Sequence, residues 1–211
     1  MRKRLGVLGA AFLAIMMVAS VAVAAGHLQP SMTDVQDTSW FADGEPADGT
    51  SILTRTDTMI TSTVEGANLV PGNVHTIWFV VFNNPAACSG GECGEDDIFT
   101  GPDLNVDGVI AAQIGIGNAT GNIAKADGTA EFGAVLRSGD YAATGHQLLF
   151  PAGLDGDELL IDGNTKGAEV HIIVQDHGQA RGGPQLLNQL TYVETGCTPY
   201  CEDIQFSVHK P

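Results

Sequence analysis

The stretch NNPAACSGGECGEDDIF, residues 83–99, carries a C-x4-C pair, Cys88 and Cys93, followed at once by Glu95, Asp96 and Asp97. A few residues on, Asp103-Leu104-Asn105-Val106-Asp107-Gly108 fits D-x-N-x-D-G, the opening of a calcium loop. A hard cation wants several oxygens, and alternate positions on a tight Gly-containing turn supply them, so Asp103, Asn105 and Asp107 are candidate calcium ligands. The twelfth loop position, where a bidentate Glu belongs, is Ile114, and no helices are predicted on either side. Glu95, Asp96 and Asp97 are the donors that would complete the shell if the loop folded back. The competing reading is an Asx-rich turn between strands.

Six histidines are spread along the chain. His171 and His177 are six apart, on one face of a predicted strand but about 20 Å from each other at ~3.3 Å per residue. His177 stands where that strand runs into the Gly-rich segment 178–183, which makes it the best candidate for a functional imidazole. His75, after the turn Leu69-Val70-Pro71-Gly72, suits a corner role, bonding to backbone as a tyrosine does in other β-sandwiches. Nucleophilic catalysis has no motif: there is no G-x-S-x-G elbow and no Ser beside a base in sequence. Gly115-x-Gly117-x-x-x-Gly121 lacks the dinucleotide spacing. Trp40 and Trp78 are too few for a carbohydrate platform, and Asn118-Ala119-Thr120 is a glycosylation sequon.

The compartment follows from residues 1–24. Arg2, Lys3 and Arg4 precede an apolar run ending in Ala22-Val23-Ala24, the pattern of a cleaved signal peptide. The expected destination is the periplasm, the cell surface or the surroundings. An even set of four cysteines, Cys88, Cys93, Cys197 and Cys201, in an exported chain predicts two disulfides rather than zinc thiolates, whose pairs are usually C-x2-C. Local pairing is expected, because each pair closes its own short loop through Gly or Pro; cross-links between the two clusters are the alternative. After signal removal six Lys and Arg face 25 Asp and Glu, a net charge of −19. Such a surface repels nucleic-acid phosphates and anionic lipids, and no second apolar run is long enough to span a bilayer.

These groups need a scaffold. Residues 25–50 are polar and read as a flexible leader, with a single β-domain over 51–211. Short strand signals recur: Ile52–Thr56, Met59–Val64, His75–Phe82, Val109–Ile116, Asn122–Lys125, Thr129–Leu136, Ala168–Val174, Leu190–Val193 and Ile204–Val208. His75–Phe82 is nearly all apolar or β-branched and is predicted to be central, covered on both faces. Asp127-Gly128 marks a hairpin turn, 164–166 a second tip, and 184–189 a helical turn. Eight to nine strands without an amphipathic helix predict an all-β fold, an antiparallel β-sandwich or Greek-key barrel.

The blocks LVPGNVHTIWFVVFNNPAAC, CGEDDIF, ADGTAEFGAVL, AEVHIIVQDHG and CEDIQFSVH, in that order, resemble an uncharacterised group of exported bacterial β-sandwich proteins. A fainter similarity is to copper–zinc superoxide dismutase and chordin-type domains, through Leu69–Gly72, His75–Phe82, Cys88, 121–128, Val170-His171 and Cys197. That similarity implies a Cys88–Cys197 bridge and places the copper-holding His-x-His pair on Trp78 and Val80, neither of them a ligand. Two functions result: an exported, non-enzymatic interaction or envelope-associated module for a protein or glycan, steadied by calcium; or a metal-binding protein or metal-dependent enzyme using His177 or His171 with acids of the 92–107 loop.

Overall fold

Alternation of apolar and polar residues on short segments is satisfied in the computed structural model by thirteen strands, β1 Met32–Trp40, β2 Pro46–Arg55, β3 Met59–Gly66, β4 Asn73–Phe82, β5 Phe99–Thr100, β6 Asp103–Leu104, β7 Ile114–Ile123, β8 Ala130–Arg137, β9 Gly139–Asp140, β10 Leu148–Phe150, β11 Glu158–Leu160, β12 Glu169–Gln179 and β13 Glu202–His209. Among the described residues three short α-helices join them, α1 Glu95–Ile98, α2 Val106–Ala111 and α3 Pro184–Thr191. The structure describes residues 31–140, 147–192 and 201–211. The predicted signal peptide lies outside the described residues.

Nine strands form one antiparallel sheet in the order β10-β7-β4-β12-β13-β1-β2-β3-β8. It curls until β8 returns alongside β7, where the Asn122 amide donates to Glu131 O at 2.7 Å. The all-β expectation is met. Consecutive strands β7 and β8 are joined by the predicted turn, Gly128 at φ 78° with Asp127 Oδ1 accepting from Thr129 N, yet they pair with β4 and β3 respectively.

The leader is a correction. Residues 32–50 are not loose: β1 pairs with β2 from Met32↔Arg55 to Ser39↔Pro46, and β1 also meets β13. Their polarity misled because this face of the sheet is wet, and cross-strand partners, not hydrophobicity, hold them. Val109–Ile116 is also corrected, since Val109 lies in α2 and the strand begins at Ile114. Leu190 and Thr191 belong to α3, whose first turn at Pro184 matches the expected helical turn. Residues 164–166 do form a turn, but it leads from β11 to β12, which do not pair.

Strand β4 is buried along its whole length, as its sequence requires. Ile77, Phe79 and Val81 point into the sheet's interior with Leu53, Ile60, Leu136 and Ile172, all 1% exposed or less. Trp78, Val80 and Phe82 point the other way, into a second cluster with Ile98, Val109, Ile114, Ile116 and Ile173. That outer cluster is roofed by residues 83–113, an excursion between two adjacent strands, since Phe82 and Ile114 are paired neighbours.

Candidate functional site

The roof is pinned at its base and stapled at its tip. Asn83 donates to Gln113 O and Leu159 O and accepts from Ile161 N, while Asn84 donates to Ala111 O. Cys88 and Cys93 are bonded to each other, so the local pairing stands and the Cys88–Cys197 bridge implied by the dismutase similarity does not form. Cys201 is also disulfide-bonded, and Cys197 lies outside the described residues.

One acid of the roof serves its own backbone. Asp97 is buried, its carboxylate accepting from Ser89 N at 2.6 Å and Gly94 N at 3.0 Å. Asn105 caps α2 by accepting from Gly108 N and donates to Asp96 O. Asp103, Asp107, Glu95 and Asp96 do not converge with them: among the described residues no three His, Cys, Asp or Glu side chains are grouped to hold a metal. The D-x-N-x-D-G run is thus the short strand β6 followed by the Asx-capped start of α2.

Under the roof lies a cavity of about 530 Å³ on the outer face of β4, β7, β12 and β13. Its floor is Trp78, Val80, Ile116, Ile173 and Phe206; Cys93, Gly94, Ile98 and Phe99 form the wall contributed by the stapled loop. Trp78 and Val80, the positions where the dismutase-like pattern would carry copper ligands, are here apolar floor. Two polar atoms in this setting are buried without a partner: the Trp78 indole Nε1–H and the Gln175 amide Oε1. Trp78 is 8% and Gln175 6% exposed. An orphaned buried donor or acceptor costs free energy, and both atoms have less than 1 Å² of accessible surface, so they are sealed behind the cavity wall.

The charged groups at this cavity are acidic. Gln175 Nε2 donates to Asp203 Oδ1 at 2.9 Å, and burial pushes the Asp203 carboxyl above its usual range, with Glu95 and Glu202 adding repulsion against the Gln175 bond. His171 lines the cavity too, its Nε2 2.7 Å from Glu169 Oε1 and its ring against Phe82. His177 is elsewhere, fully buried, with Nε2 2.8 Å from Thr76 Oγ1 and Nδ1 3.2 Å from Cys201 Sγ. The two histidines are not brought together. His75 makes no backbone bond; its Nε2 lies 3.5 Å from Asp176 Oδ2, a correction to the corner role. Asn118 is 0% exposed inside β7, so its sequon is sealed in the folded protein.

One constellation has no trace in local sequence. Ser51 Oγ is 2.7 Å from His209 Nε2, and His209 Nδ1 is 2.8 Å from Asp34 Oδ2, across separations of 158 and 175 residues. The order is that of a catalytic triad, but Ser51 and His209 are both 0% exposed. A nucleophile without surface cannot meet a substrate, and this chain of bonds ties β1, β2 and β13 together instead. Burial, helped by Arg55 and His171, depresses the His209 pKa despite its Asp34 bond. The neutral ring then donates through Nδ1 and accepts from Ser51.

Cavity, Gln175 and Asp203 were outside what the sequence suggested. The available signal was a tryptophan and a glutamine on the outward positions of the two strands with the longest apolar runs, Ile77–Phe82 and Ile172–Val174. The chain matches no protein-family model, no curated protein and no solved structure.

Proposed function

We propose that this is an exported, non-enzymatic binding module whose ligand is a small, mainly apolar molecule held beneath the stapled loop. The observation that carries this reading is the ~530 Å³ cavity and its mainly apolar lining. Its size, apolar walls and few convergent polar groups are those of small-molecule sites generally. This narrows the expected protein or glycan partner to a smaller one. Among the described residues no three His, Cys, Asp or Glu side chains are grouped to hold a metal, and His171 and His177 sit apart, which favours this reading over the calcium and metal-enzyme ones. Among the described residues no helix is long and apolar enough to cross a membrane, consistent with a module that works outside the bilayer.

Ile173→Trp, which fills the floor, should abolish binding of apolar molecules detected by native mass spectrometry and thermal shift, while the variant's own melting temperature stays within a few degrees. Calcium, zinc, copper and EDTA should leave the melting temperature unchanged. A metal-dependent shift, or ligand capture that survives Ile173→Trp, overturns the proposal.

A further inference from the structure

We infer that the ligand is a neutral apolar alcohol or phenol whose hydroxyl donates to His171 Nδ1. This rests on the cavity being the ligand site and goes further by assigning the ligand's polar end.

His171 lies in the cavity floor between its cross-strand partners Val80 and Val208, with Ile173 next on the same face of β12. Its Nε2 is 2.7 Å from Glu169 Oε1, and the two side chains are 11% and 7% exposed. Among the described residues the Glu169 side chain has no hydrogen-bond partner other than His171, so its carboxylate holds the proton of a neutral ring on Nε2. Nδ1 is then a lone-pair acceptor. The two nitrogens of an imidazole point to nearly opposite sides, so turning Nε2 back toward Glu169 turns Nδ1 toward Ile173 and the cavity. No described residue bonds to Nδ1, and unlike Trp78 Nε1 it is not sealed.

An open acceptor calls for a donor. A hydroxyl brings one and is satisfied by one acceptor. An ammonium brings three and a charge, into surroundings of Val80, Ile173, Val208 and the Phe82 ring that offer the other two nothing. The acid beside Gln175, Asp203, does not serve that end, because Gln175 is four residues and about 13 Å further along β12 at ~3.3 Å per residue. A ligand carboxylate gains little: of the lining's donors, Gly94 N is committed to Asp97 and Gln175 Nε2 to Asp203, while the Trp78 indole is sealed.

The test uses the full exported chain at pH 8 and three probes on one skeleton: 4-butylphenol, its methyl ether 4-butylanisole, and 4-butylbenzylamine. Titration calorimetry should show the phenol binding about two- to tenfold tighter than the ether, the scale of one neutral hydrogen bond, and the amine weakest. The ¹⁵N resonance of His171 Nδ1 should move with the phenol and stay in place with the ether. His171→Gln, which keeps a donor for Glu169, should erase the phenol's advantage over the ether; if that variant fails to fold, the wild-type ¹⁵N resonance decides. Equal binding of phenol and ether, or tighter binding of the amine, with all binding lost in Ile173→Trp, overturns the hydroxyl assignment and keeps the cavity. A phenol preference that survives His171→Gln, or leaves the Nδ1 resonance unmoved, overturns the assignment to His171. No binding of any probe overturns both the assignment and the cavity as a ligand site.

Discussion

Strand β4 separates two hydrophobic clusters that share its backbone and differ in almost everything else. On the inner face Ile77, Phe79 and Val81 are 0% exposed and meet apolar neighbours from both halves of the sheet. On the outer face Trp78 and Val80 keep small exposed fractions, a cavity stands open above them, and polar atoms there lack partners. Close packing is the rule in protein interiors, and the inner cluster obeys it. The outer cluster is built from an equally apolar sequence but covered by a loop with only short helices and two-residue strands, which cannot interdigitate with a sheet as a second sheet does. One face therefore stabilises the fold, and the other is free to hold something else.

The comparison breaks or sharpens under substitution. The largest effect belongs to the inner face: Phe79→Ala should cost about 3–5 kcal/mol in chemical denaturation, the range for a large aromatic removed from a sealed core. Replacing both Cys88 and Cys93 by Ser should cost about 2 kcal/mol, since a loop this short gains little from closure, yet remove ligand binding, because the cavity loses its wall. Ser51→Ala should cost roughly 1–2 kcal/mol by leaving His209 Nε2 without its partner, and a serine-directed sulfonyl fluoride should not label the folded wild type. The smallest effect belongs to the outer face: Trp78→Phe should change stability by less than about 1 kcal/mol, because it removes a donor that has no protein partner. A Trp78→Phe cost as large as that of Phe79→Ala would erase the distinction between the two faces.

The pH dependence of stability has a definite sign. His209 titrates below its ordinary value of 6.5 in the folded chain. Between the two values the unfolded chain binds the extra proton, so stability is present above 6.5 and is lost as pH falls through the folded value. Asp34 acts in the same sense: burial works against it, but hydrogen bonds from Gln36 and His209 and the charge of Arg55 hold its carboxyl low. Asp203 runs the other way. Its raised pKa means that the folded state pays for ionising it above the usual carboxylate range, so Asp203→Asn should raise the melting temperature at pH 7. Melting curves from pH 8 to 4 check both signs.

How much was legible depends on the kind of information each residue carries. The apolar run His75–Phe82 predicted a strand covered on both faces, because period and composition are local properties. Its alternation also encoded the two clusters, with Trp78, Val80 and Phe82 against Ile77, Phe79 and Val81. The local disulfide was legible from the short, Gly-containing loop between Cys88 and Cys93. The calcium pattern and an Asx cap draw on the same oxygens, and only the fold shows Asn105 Oδ1 accepting from the Gly108 amide. The edge of the domain misled because residues 32–50 are held by backbone pairing with β2, β3 and two residues of β13 rather than by an apolar pattern of their own. Gln175 beside Asp203, and Ser51 beside His209, depend on register across β12, β13, β1 and β2, which no local pattern encodes.

That register has a consequence for how the protein comes into being. Strand β13 lies in the middle of the sheet between β12 and β1, and it meets β1 at only two residue pairs, Ser39↔Phe206 and Trp40↔Gln205. The guanidinium of Arg55, 2% exposed, takes two of its four carbonyl acceptors from His209 and Lys210. Until those residues arrive, the first half of the sheet carries an unsatisfied buried cation and has no neighbour on its open edge. Closure of the sheet therefore waits on contacts 158 and 175 residues apart in sequence, the long-range kind that slows folding.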